Sequence, residues 1–239
     1  MPLSLSTVRE AWPDRRAVDN HEGGPVAYEP VAGHDAGDAR RRVRGGAVPG
    51  PGERAKTAAA VMFIWVGLLW LIECVDVMTH HALDTFGIVP QQIGELRDII
   101  PAAFIHFGFD HVAANSLPLL VLGFLAGLRG IGRLMSVVFV IIMTSGGGVW
   151  LVAPPHTNTA GASGVVFGLF GYLLVRGFVD RRLIDIAVGL IVAVAYGSIL
   201  WGVLPSAQGV SWQGHLFGLV GGVVGAFLFR DRPADGLIR

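Results

Sequence analysis

The chain has 239 residues with 18 acidic and 18 basic side chains, so it carries no net charge and shows no electrostatic footing for nucleic-acid binding. It is 52% hydrophobic and only 15% charged, against about a quarter charged in soluble domains. With a mean hydropathy of +0.58, that excludes an ordinary soluble globule and points to a multi-span membrane protein.

Residues 1–55 are rich in Pro, Gly, Asp, Glu and Arg and poor in large apolar side chains. Such a segment buries too little surface to offset its ordering entropy, so a disordered cytoplasmic tail is expected there. Arg40, Arg41, Arg42 and Arg44 precede the first apolar run and read as an orientation signal with some attraction to anionic lipid. Six apolar segments follow, at about 57–78, 108–128, 134–153, 162–175, 183–204 and 212–229, judged against the ~20 residues a span requires. Backbone in a bilayer must satisfy its own hydrogen bonds, so these are expected to be helices in one unit over 56–232. A short tail, 233–239, follows. In the first segment Cys74 reads as a small buried hydrophobe, and as the one cysteine it excludes an internal disulfide or a multi-cysteine metal site.

Arg54 and Lys56, Arg129 and Arg133, Arg176 with Arg181 and Arg182, and Arg230 with Arg232 and Arg239 fall on alternate sides of consecutive segments. Only Arg97 lies on the other side. The positive-inside rule then puts both termini in the cytoplasm of a plasma-membrane protein. The longest outer connection, 79–107, has apolar stretches and two prolines and is expected to lie partly in the membrane interface. Glu73 and Asp76, at the outer end of the first segment, are expected in the headgroup zone or facing the bundle.

Polar groups interrupt three of the segments: His111 and Asn115 in the second, Ser163 in the fourth and His215 in the sixth. Taken singly, each is as well explained as polar glue between helices. Their depths bring them together. Asn115 lies 14 residues before Arg129, Ser163 13 before Arg176 and His215 15 before Arg230. At 1.5 Å per residue all three sit roughly 20–22 Å above the inner boundary, within a core about 30 Å thick. His111 is one turn above Asn115 on the same face. The fourth segment is too short to cross and must begin inside the membrane, after the loop 154–160, with Ser163 at a helix N-terminus beside an aqueous pocket. Free amides and the positive end of the helix dipole would stabilise an oxyanion there. Gly164 and Gly168, and Gly214, Gly218 and Gly222, recur at four-residue spacing, which lets two membrane helices approach closely.

Gly161-Ala162-Ser163-Gly164 resembles the nucleophile motif of the rhomboid family of intramembrane serine proteases. His215 with Gly218 and Gly222 resembles that family's sixth-helix motif, and His111 with Asn115, preceded by His106, its second-helix motif. Phe167 stands where the family often has Tyr, and can stack under the imidazole without offering a hydroxyl. The resemblance covers about 57–230 and implies an all-α bundle of six transmembrane helices. It also implies a Ser163–His215 dyad without a third carboxylate and an oxyanion hole from His111, Asn115 and the Ser163 N–H. The implied substrates are single-span or other membrane proteins, and no cofactor or metal is implied. An inactive rhomboid-like protein that binds membrane clients, and a small transporter with a polar midplane site, are the alternative readings.

Overall fold

The computed structural model describes residues 50–205 and 209–231. Residues 1–49 of the tail expected at 1–55, and the tail expected at 233–239, lie outside the described residues. Six α-helices follow the six apolar segments: α1 Pro51–Met78, α2 Phe109–Gly127, α3 Ile131–Val152, α4 Ser163–Val179, α5 Leu183–Tyr196 and α6 Trp212–Leu228. The described residues contain no strand beyond a single bridge between Ile88 and Thr159. The molecule is an all-α membrane bundle.

α1 starts at Pro51, earlier than the apolar pattern alone suggests. A proline at the first helical position is preorganised for the turn and loses no needed N–H, and Glu53 complements the positive end of the dipole. The helix therefore includes the last five residues of the segment read as tail. α1, α2, α3 and α5 with its following 3₁₀ turn Gly197–Val203 are long and apolar enough to span a bilayer. α4 and α6 have 17 residues each, about 26 Å of helix, short of a core of about 30 Å.

α4 is the central post. Every residue from Gly164 to Leu173 is buried, and the helix packs on α2, α3, α5 and α6. Enclosed by its neighbours, it is apolar nearly all round, as a buried or membrane helix is. Its most extensive contact is with α6, where the small-residue spacing matters. A Cβ on Gly218 would collide with the backbone of Gly164, and one on Gly222 with the backbone of Gly168. By contrast α5 packs mainly on α4 and buries only Asp185, Gly189 and Val192. Leu183, Ile191 and Val194 point outward, as a lipid-facing surface permits.

Charges gather at the end of the bundle opposite Ser163. Arg129 pairs with Asp185 and, at 3.0 Å, with Asp231. Arg176 reaches Asp185 at 3.1 Å, and both Arg133 and Arg182 pair with Asp231. The Asp231 amide donates to Asp180 at 2.8 Å. The network joins the α2–α3 turn, the ends of α4 and α6 and the start of α5. The arginines that mark span ends in the sequence are thus also structural ties.

Two expectations about α1 meet the structure differently. Glu73 and Asp76 are each 1% exposed and face the bundle. Cys74, expected to be buried, is exposed on the surface of α1. A lipid-facing position is as apolar in sequence as a core position, so an apolar run does not say which way a residue points.

The connection from α1 to α2 is folded onto the bundle as three short 3₁₀ turns, Ala82–Phe86, Ile93–Ile99 and Pro101–Ala103. Ile88, Ile99, Ala102 and Ala103 enter the core. Its backbone is stitched to the loop before α4. Ile88 and Thr159 exchange hydrogen bonds at 2.8 and 3.1 Å, and the Gly161 amide donates to the Ala102 carbonyl at 2.8 Å. The Asn158 side-chain amide donates to the Asp84 carbonyl at 2.8 Å, and the Trp150 indole to the Gln92 carbonyl at the same distance.

Candidate active site

Ser163 is the first residue of α4, and the turn before it is held from the side. The Gly161 amide is taken by Ala102, and the Ala162 amide donates to His106 Nε2 at 3.2 Å. Neither turn hydrogen bond uses the Ser163 N–H, one of the orphan donors at the helix N-terminus. Gly161 has φ +130°, a conformation other residues rarely adopt. A Cβ there would also lie 2.8–2.9 Å from Cε1 and Nε2 of His111, so this glycine lets the histidine ring close on the turn.

His215 is in the first turn of α6 and is buried. Its Nε2 lies 2.9 Å from Ser163 Oγ, and its Nδ1 lies 2.8 Å from the carbonyl oxygen of Gly202. A carbonyl accepts only, so Nδ1 carries the proton of the neutral ring and Nε2 presents its lone pair to the Ser163 hydroxyl. Phe167, one turn into α4, stacks on the imidazole with centroids 4.0 Å apart and planes within 6°. The ring is therefore fixed by a hydrogen bond at each nitrogen and by an aromatic face. The entry of α6 is set by Ser211, which accepts from the Gly214 amide at 3.2 Å, and by Ser145 on α3, which donates to the Gly214 carbonyl at 2.8 Å.

The second-helix residues face the same place. His111 Nδ1 accepts from the Phe107 amide at 3.4 Å, which leaves its proton on Nε2, the nitrogen beside Gly161. Asn115 is buried and donates one amide hydrogen to the His111 carbonyl at 3.0 Å, leaving the other free. His106 is fully buried, 5.0 Å from the His111 ring and edge-on to it. A cavity of about 810 Å³ is lined by Ser163, His215, His111 and Asn115 together with Gly161 and Gly164.

The site residues singled out in the sequence are thus brought to one region: Ser163, His215, His111, Asn115 and Gly161 at the cavity, His106 behind the turn, Phe167 under the base, and Gly164, Gly218 and Gly222 where α4 meets α6. The second nitrogen of His215 is held by the Gly202 carbonyl. Sequence reasoning missed it because a main-chain oxygen leaves no residue signature. Ser145 was missed as well, being one hydroxyl in an apolar helix.

A family model described as a rhomboid domain matches residues 94–232. An uncharacterized protein of Mycobacterium tuberculosis is 39% identical over 225 residues, covering 84% of this chain and 94% of that protein. One from Mycobacterium leprae is 39% identical over 183 residues, covering 73% and 72%. A putative rhomboid protease of Bacillus subtilis is 28% identical over 142 residues, covering 56% and 68%.

Proposed function

The chain belongs to the rhomboid family, and on that premise we propose that it hydrolyses peptide bonds in or near the membrane-spanning segments of other membrane proteins. Ser163 is the nucleophile and His215 the base. The observation that supports this reading is the 2.9 Å contact between Ser163 Oγ and His215 Nε2, on a ring whose other nitrogen is held by Gly202.

A serine hydroxyl alone is too weak a nucleophile. As Oγ attacks the scissile carbonyl, its proton passes to His215 Nε2, and the Gly202 carbonyl steadies the imidazolium through Nδ1–H. Charge develops on the carbonyl oxygen. The donors for it are His111 Nε2–H, the free Asn115 amide hydrogen and the Ser163 N–H at the positive end of α4. His215 then gives its proton to the departing amine, leaving an acyl-enzyme on Ser163. Water entering through the cavity is deprotonated by the same Nε2, attacks the ester and releases the acid, returning the proton to Oγ. In this reading both termini are cytoplasmic and the cavity opens to the outer side of the plasma membrane.

The test is cleavage of a panel of single-span membrane proteins by the purified chain in detergent. Ser163→Ala and His215→Ala should each abolish cleavage while remaining folded. The double variant should be no worse than either single one, because the two residues act as a unit. Fluorophosphonate should label Ser163 and require His215. Cleavage by Ser163→Ala at the normal rate sinks the proposal. Client binding by a chain that never cleaves would support the inactive-relative reading instead.

A further inference from the structure

The outer loop carries a second polar cluster that the cleavage mechanism does not use. Asp76 lies in the last turn of α1, His81 precedes the turn Ala82–Phe86 and Asp84 lies within it. One ligand atom from each lies within 4.8 Å of the other two. His81 Nδ1 is 2.9 Å from Asp76 Oδ2 and 3.8 Å from Asp84 Oδ2. The other Asp76 oxygen accepts from the Leu83 amide at 2.7 Å, which fixes the carboxylate in place. Neither aspartate pairs with a lysine or arginine among the described residues.

A buried acid without a partner lies beside the cluster. Glu73, one turn earlier on the same face of α1, is 1% exposed, and neither of its oxygens has a hydrogen-bond partner of normal geometry. Asp84 Oδ1 is likewise buried without a partner. Two carboxylates therefore flank one imidazole, with the buried Glu73 one turn below, and none of the three acids pairs with a lysine or arginine among the described residues; buried acids left unpaired are costly.

We propose that Asp76, His81 and Asp84 are the ligands of a divalent metal ion of the imidazole-accepting class, with Zn²⁺ the fitting member, and that Glu73 supplies further negative charge beside it. Carboxylate oxygens and an imidazole nitrogen about 2.0–2.2 Å from a tetrahedral Zn²⁺ would be roughly 3.4 Å apart. The 3.8 Å between His81 and Asp84 is close to that, and small side-chain rotations supply the rest. An imidazole ligand favours Zn²⁺ over Ca²⁺ or Mg²⁺, which prefer all-oxygen sites. On binding, His81 gives up its Nδ1 proton to solvent, and the metal takes the place of the hydrogen bond to Asp76. The ion braces the outer loop where it matters to the site described above. The Asp84 carbonyl holds Asn158, and Ile88 pairs with Thr159, both in the loop leading to Ser163.

This inference does not rest on proteolysis, and its test reads metal rather than activity. The full chain, purified in detergent without a polyhistidine tag, is stripped with chelator, equilibrated with ZnCl₂ and dialysed. Zinc is counted by mass spectrometry and the melting temperature recorded. One zinc per chain with a raised melting temperature is expected for the wild type and equally for His215→Ala, which removes the imidazole of the dyad. His81→Ala and Asp84→Asn should each weaken retention by about 10- to 100-fold or more and remove the thermal shift. Asp84→Asn keeps the side chain's shape on a half-exposed turn, so it reports the loss even if His81→Ala does not fold. Zinc retained equally by the variants, no zinc on the wild type, or retention of Ca²⁺ in place of Zn²⁺ overturns the assignment.

Discussion

Gly218→Ala should separate the nucleophile from its base without touching either. A Cβ at this position would lie 3.0 Å from the carbonyl carbon of Gly164 and 3.1 Å from its Cα, and closer still to the carbonyl oxygen. All three atoms are backbone of α4, so no side chain can rotate away. Ordinary carbon contacts begin near 3.4 Å, so restoring them moves α6 from α4 by roughly 1 Å, given interiors too closely packed to absorb the strain. His215 is one turn from Gly218 on the same face of α6, and Ser163 adjoins Gly164. A contact of 2.9 Å opened by that amount passes the ~3.2 Å limit of a good N···O hydrogen bond. A displacement of about 1 Å costs on the order of 100-fold in rate. Cleavage and fluorophosphonate labelling should fall together by about that factor, with an overpacking penalty of about 1–3 kcal/mol in stability. Gly225→Ala is the control: its nearest neighbour would be a methyl of Val137 at 3.2 Å, a side chain that can give. It should cleave at near the wild-type rate. Gly218→Ala retaining wild-type turnover per folded molecule would falsify the coupling of helix approach to dyad geometry.

Asn115→Ala should lower turnover by about 10²–10³ while leaving substrate binding and Ser163 labelling largely intact, as loss of an oxyanion donor does. If the melting temperature falls and turnover does not, Asn115 is only a helix bridge. Asp231 gives a pH signature at the opposite end of the bundle. Burial alone would raise its carboxyl, but the Arg133 hydrogen bond and the charges of Arg133, Arg129 and Arg182 outweigh it and hold the group below its ordinary 3.8. A depressed folded-state value means stability that is present above that ordinary value and lost as pH falls through the lower one. Asp231→Asn should therefore melt earlier than wild type near neutrality, and the gap should close on acidification below about pH 4; a gap independent of pH would contradict this. Reporter fusions at Thr157 should report the outer side and those at Arg182 the cytoplasm, and a cytoplasmic signal from Thr157 would overturn the orientation.

Much of the architecture was legible because a bilayer is a demanding solvent. A helix must offer about 20 apolar residues to cross it, so α1, α2, α3 and α5 announce themselves, and polar residues within such runs stand out. Counting residues from the flanking arginines put Asn115, Ser163 and His215 at one depth, because helical rise is constant. The glycine spacing in α4 and α6 named the surfaces that meet. Facing was not legible. Cys74 and Glu73 are neighbours in an apolar run, yet one points outward and the other into the bundle, since lipid and protein core select the same side chains.

What the sequence determined by itself was therefore the set of apolar helices, their order and the place of the polar groups along them, all properties of one helix and its solvent. The tertiary structure decided which atoms meet. The Gly202 carbonyl that selects the His215 tautomer, the Ser145 hydroxyl on the Gly214 carbonyl and the aspartates that bind the span-end arginines all join segments distant in sequence. So does the stitching of Ile88 and Ala102 to the loop before Ser163. Main-chain acceptors carry no residue signature, and the 2.9 Å between hydroxyl and imidazole depends on how closely α4 and α6 approach, a distance that only packing sets.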